Sequence, residues 1–312
     1  GEGPAGGPPD GGAPAASGPA ADRNEPDAPS ALTGQLTSLR SLLAHPGLLL
    51  AALGQGVVFA LLVVLVAGVF NEVVKRSQLS GRVSSGRWVG LSRLVAGVQR
   101  WVGRRPVFAA AVLGGVTSLV LSGVDPHLGW DLVSARLVAS NLLASLTGSV
   151  FCAWAAVRLL RWRRGLEVTI HAVPWGLLLA LLGVAVSRML AFEPGFLVGE
   201  MLLLTVASAR PATAVVERAR FVTSFGVALG AWIGADLTGP VGFGSALLHD
   251  AFVVTTTSVL CGLLIRLLPV PLLGGEFRRE APVSWGVSFT LTLMAFLVVV
   301  APQATNWLFV GD

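Results

Sequence analysis

Apolar residues in this chain come in long stretches, and arginine clusters punctuate them. A helix needs about 20 apolar residues to cross the hydrocarbon core of a bilayer. Eight runs of that order stand near residues 47 to 70, 107 to 124, 137 to 157, 172 to 190, 194 to 209, 221 to 237, 251 to 269 and 284 to 306. The fifth is short and carries Glu200, so a tilted or broken span, or one that dips in without crossing, is expected there. The pattern predicts an all-α, polytopic membrane protein of about eight transmembrane helices, with residues 47 to 312 forming one bundle.

Ahead of the bundle the pattern changes twice. Residues 1 to 30 hold seven Gly, seven Pro and seven Ala, a composition with little to bury against its ordering entropy, so residues 1 to 31 are expected to be a disordered tail or linker. Residues 32 to 46 read as a short helical lead-in through Leu32, Leu36, Leu39, Leu42 and Leu43, after which Pro46 opens the first run. Between the first two runs, Leu91, Leu94, Val95, Val98, Trp101 and Val102 fall at helical spacing with Arg87, Arg93, Arg100 and Arg104 between them. That spacing predicts an amphipathic interfacial helix whose arginines reach anionic lipid headgroups, or which docks a cytoplasmic partner.

Composition agrees with the pattern: 54% hydrophobic residues, 12% charged residues and a mean hydropathy of +0.75 exclude an ordinary soluble domain. The net charge of +5 raises a nucleic-acid reading, but topology accounts for it. The connections 71 to 106, 158 to 168, 210 to 220 and 270 to 282 carry 17 basic residues, whereas Arg23, Arg40 and Arg136 stand on the other side with ten acids. Positive charge is retained on the cytoplasmic side, so both termini are expected outside, in a plasma membrane, and no nucleic-acid partner is expected. Cys152 and Cys261 lie inside apolar runs and give neither a disulfide framework nor a thiol metal site. The chain starts at Gly1 with no signal-peptide pattern; it is expected to be a processed or truncated piece whose natural start lies upstream.

Ionisable residues in or beside spans are costly unless paired or hydrated. Asp125, Arg188, Glu193, Glu200, Asp236, His249 and Asp250 all fall toward the outer face in this topology, and Arg266 alone lies toward the cytoplasm. Two readings stay open. The cluster lines an outward-facing water-filled pathway for a cation or proton, or Arg188 pairs with Glu193 or Glu200 while Asp236 and Asp250 simply reach water. Two small-residue stripes, Gly226, Gly230 and Gly234 in the sixth run and Ser140, Ala144, Gly148, Cys152 and Ala156 in the third, predict close helix contact, within the bundle or between copies.

Catalytic patterns are missing. There is no His-Glu-x-x-His, and no glycine-rich phosphate loop, which excludes an ATP-driven pump encoded in this chain alone. Ser245 and His249 share an outer loop, and His45 and His171 flank helix starts; none of them makes a nucleophile-base pair beneath the surface. No metal, cofactor or enzymatic activity is expected.

Several short phrases carry a family resemblance. Phe70-Asn71, Gly123-Val124-Asp125-Pro126-His127-Leu128-Gly129, Ser187-Arg188, Phe192-Glu193-Pro194-Gly195-Phe196-Leu197, Leu267-Leu268-Pro269 and Leu272-Leu273-Gly274-Gly275 resemble, in content and order, the actinobacterial membrane proteins named for a Phe-Gly-Leu-Leu-Pro motif. The resemblance covers roughly residues 47 to 302. At the naming motif Ile265 and Arg266 stand in place of Phe and Gly, unless Cys261-Gly262-Leu263-Leu264 is the counterpart with its proline lost. The resemblance implies a polytopic module set behind exported N-terminal domains, and supplies no catalytic residues. The expected function is a multi-span anchor or assembly module for exported domains or partner proteins; a small-solute, ion or proton transporter using the acidic cluster is the alternative, and an intramembrane hydrolase a third.

Overall fold

The computed structural model describes residues 24, 25, 28, 30, 36–44, 46–76, 106–123, 128–166, 168–172, 181, 184–185, 202–206, 213–238, 242–268 and 275–300. Nearly all of these are helical. In chain order the elements are α1 (Leu39–Ala44), α2 (Pro46–Arg76), α3 (Pro106–Ser122), α4 (Leu132–Arg164), β1 (Val168–Ala172), β2 (Leu202–Val206), α5 (Thr213–Leu237), α6 (Phe243–Leu267), α7 (Gly275–Glu280) and α8 (Pro282–Val300). The expected interfacial helix with Arg87, Arg93, Arg100 and Arg104 lies outside the described residues.

Local chemistry sets the helix limits. Proline stands first in α2, α3 and α8, where its fixed φ suits the first turn and its missing N–H goes unneeded. Asp131 caps α4 by accepting from the Ser134 backbone N–H at 2.7 Å. Gly165, with φ at 61°, closes that helix in the left-handed region that glycine enters without a Cβ clash. Within α4 the stretch Leu146–Phe151 is a π-helix, and α8 ends in another, Phe296–Val300. A π turn takes more residues than an α turn, and α4's stripe of small residues, spaced at four, stays buried on both sides of it: Ser140, Ala144, Cys152 and Ala156 are all buried.

Four helices among the described residues are long and apolar enough to cross a membrane: Leu49–Val66 within α2, α4, α6 and α8. The centre is α6, with 67% of its apolar window buried, and the periphery is α2, with 17%. Leu50, Val58, Leu61, Leu62, Leu65 and Val66 of α2 are all exposed, a surface tolerable in hydrocarbon and not in water. This is a membrane protein. Its helices carry serine and threonine whose hydroxyls donate to the carbonyl one turn back, as Thr255 does to Ala251, Thr257 to Val253 and Thr292 to Ser288, so these three buried hydroxyls are satisfied without water.

Three expectations need correction. The fifth apolar run does not continue as helix: Leu202–Val206 is a strand, paired antiparallel with Val168–Ala172 in the register Val168 with Val206 and Ala172 with Leu202. Val168, Thr169, Ile170, Thr205 and Val206 are β-branched and prefer the pleated backbone, and an apolar run of this length does not by itself distinguish strand from helix. The fourth run shares only its first residue, Ala172, with β1, and Leu181, Val184 and Ala185 further along it are helical. Second, the tail is not free over its whole length, since Ala28 and Ser30 are buried against the bundle. Third, within one copy of the chain Gly226 and Gly230 meet nothing within 4 Å of where a Cβ would stand, whereas a Cβ on Gly234 would stand 2.9 Å from the Phe252 ring. Residues four apart on an α-helix creep around the axis by roughly 40° per step, so only one end of that glycine row reaches α6. The contact itself runs through Ala228, beside Val259 and Leu260, and Ala235, beside Val253 and Val254.

Candidate functional site

Polar contacts gather at two opposite poles of the bundle. Asp250 sits in the third turn of α6 and is only 1% exposed. Arg136, in the second turn of α4, meets it with Nε 2.9 Å from Oδ2, and both side chains are 2% exposed. Ser30 Oγ donates to the other carboxylate oxygen at 2.9 Å, and a second guanidinium nitrogen of Arg136 donates to the Ala28 carbonyl at 2.7 Å. A buried ion pair repays its desolvation only when its remaining donors and acceptors are also satisfied. Here the N-terminal segment supplies that satisfaction.

Beside this pair, on the other side of α6, lies an open cleft of about 210 Å³ lined by Thr37, Trp232, Asp236, Thr238 and His249, among others. His249 Nδ1 is 3.0 Å from the Ala235 carbonyl and 2.8 Å from the Thr238 carbonyl. Two acceptors facing one ring nitrogen place the hydrogen on it, so His249 donates to Ala235 in the last turn of α5 and to Thr238 just past it, and caps that helix. Trp232 Nε1 donates to the Thr37 carbonyl at 2.8 Å, and the Thr37 N–H donates to Val299 at 3.0 Å. The segment before α1 is thereby stitched to α5 and α8.

At the opposite pole Arg266 and Glu217 form a two-bond pair, Nε to Oε2 at 2.8 Å and NH2 to Oε1 at 2.6 Å, joining α6 to α5. Glu280 Oε2 accepts from the Ala214 N–H at 2.8 Å, an anion at the positive end of α5. Trp285 Nε1 donates to the Leu267 carbonyl at 2.8 Å, and the Arg278 guanidinium lies 5.6 Å from the centre of the Trp285 ring.

Of the eight ionisable candidates, Asp125, Arg188, Glu193 and Glu200 lie outside the described residues. Asp236 and His249 share the cleft, but Asp250 does not join them and does not reach water. Arg266 stands 16 residues along α6 from Asp250, roughly 24 Å at helical rise. Sequence reasoning missed both partners: Arg136, set in an outer connection, belongs to α4, and Glu217 drew no notice among the arginines of 210 to 220. The cap at Asp131 is the signal for the first, because it moves the start of α4 ahead of Arg136. The small stripe of α4 does meet α6: Ser140 Oγ donates to the Leu247 carbonyl at 3.1 Å, and Gly148 leaves 3.1 Å between a Cβ position and Val259.

Among the described residues no group of three His, Cys, Asp or Glu is arranged to hold a metal ion. Compared with family models, curated proteins and solved structures, the chain finds no match in any of the three.

Proposed function

We propose that the chain is a multi-span anchor or assembly module of the plasma membrane, holding exported domains or partner proteins, with no catalysis of its own. One observation carries the reading: the most deeply buried carboxylate among the described residues, Asp250, is closed by Arg136 and by Ser30 of the N-terminal segment. Such a segment, tied into the bundle, transmits load from whatever precedes it. A conducting carboxylate needs hydration and a free coordination side, and this one is engaged on both oxygens.

In the same proposal the arginine-rich pole faces the cytoplasm and both termini face outward. The described helices support a smaller number of crossings in this proposal. Six crossings, by α2, α3, α4, α5, α6 and α8, keep the termini on one side.

The cleft containing Asp236 and His249 favours the rival, a transporter for an ion, a proton or a small solute. Cation and proton flux into proteoliposomes of the parent and of Asp236→Asn separates the two readings. The anchor reading expects parent vesicles to be as tight as protein-free ones. A flux present in the parent and lost in Asp236→Asn replaces it with transport.

A further inference from the structure

The last turns of α4 and the first turns of α5 enclose a groove of about 260 Å³ whose rim is made by Arg163, Arg164 and Arg218. Among the described residues no carboxylate lines it. The nearest acid along α5, Glu217, is turned to Arg266, since consecutive helical residues point roughly 100° apart. Arginine in the final turn of α4 suits the negative end of that helix, and Arg218 faces it from the second turn of α5. Below the rim the wall is apolar, made by Leu159, Ala219 and Val222, and Val222 is 59% exposed. Trp162, 79% exposed, stands at the level of the arginines with the Arg163 guanidinium 5.7 Å from its ring centre, as aromatic residues do at the headgroup layer.

We infer that this groove is a binding site for one anionic phospholipid of the leaflet at the arginine-rich pole. The phosphate sits among Arg163, Arg164 and Arg218, and one acyl chain descends along Leu159, Ala219 and Val222. Charge complementarity selects the headgroup, and the apolar wall beneath it selects a lipid over a free anion. The inference requires residence in a bilayer and is independent of whether the protein anchors or transports.

Thermal unfolding of the purified full chain in neutral detergent, titrated with phosphatidylglycerol, phosphatidylcholine or inorganic phosphate, tests it. Phosphatidylglycerol is expected to raise the Tm of the parent, and the other two to leave it unchanged. Combined Arg163→Gln, Arg164→Gln and Arg218→Gln is expected to need about tenfold more phosphatidylglycerol, or above, for the same rise. Val222→Trp, which keeps every arginine and fills the apolar wall, is expected to lose the response as well, and decides the matter if the triple variant does not fold. Arg279→Gln, a basic residue of the same pole outside the groove, is expected to behave as the parent. A parent-like response in Val222→Trp or in the triple variant overturns the inference, as does an equal rise with inorganic phosphate or none with phosphatidylglycerol.

Discussion

His249 and Asp250 are neighbours in the chain and do different work, because one helical step turns the second residue away from the first. His249 reaches the end of α5, and Asp250 reaches α4 and the N-terminal segment. A reading that places charges only by their depth in a span merges two such residues into one cluster, as the sequence reading did. The glycines of α5 teach the same lesson about angle. Gly234→Leu is expected to lower thermal stability by roughly 1 to 3 kcal/mol, since its new side chain enters the space of the Phe252 ring. Gly230→Leu, open on that side, is expected to unfold with the parent. Equal losses for the two in a detergent melting experiment would mean that the glycine row meets a neighbour along its whole length.

At the scale of elements, long apolar runs bounded by proline, arginine and glycine were readable, because hydrocarbon thickness sets their length and breakers set their ends. Runs near 47 to 70, 221 to 237 and 251 to 269 overlap α2, α5 and α6. The ladder of β1 and β2 was not readable, because pairing over 30 residues of sequence leaves no local periodicity. Its register gives a direct check in a chain whose Cys152 and Cys261 are replaced by alanine. Cysteines at Thr169 and Thr205, register partners, are expected to join on mild oxidation, and cysteines at Thr169 and Leu204 to stay apart, since one residue of slip turns the side chain to the other face. Equal yields, or joining in the second pair alone, would remove the ladder and restore a helix to the fifth run.

The whole molecule is fastened at its two ends and greased in between. Arg136 with Asp250, and Arg266 with Glu217, are each buried or half-buried and each join two helices, while α2 turns most of its apolar face outward. The first pair also holds Ala28 and Ser30, so it binds the N-terminal segment, α4 and α6 into one unit, and its worth is a property of global unfolding. The account's central claim is that this charge is structural. The measurement that tests it most directly is a double-mutant cycle read by reversible unfolding in detergent, with Arg136→Met, Asp250→Leu and both together. Either single change leaves a buried charge without its partner and is expected to cost roughly 3 to 5 kcal/mol, while the double change, which leaves no charge behind, is expected to recover most of that loss. Losses that simply add in the double variant would contradict the claim and show that the two residues act apart.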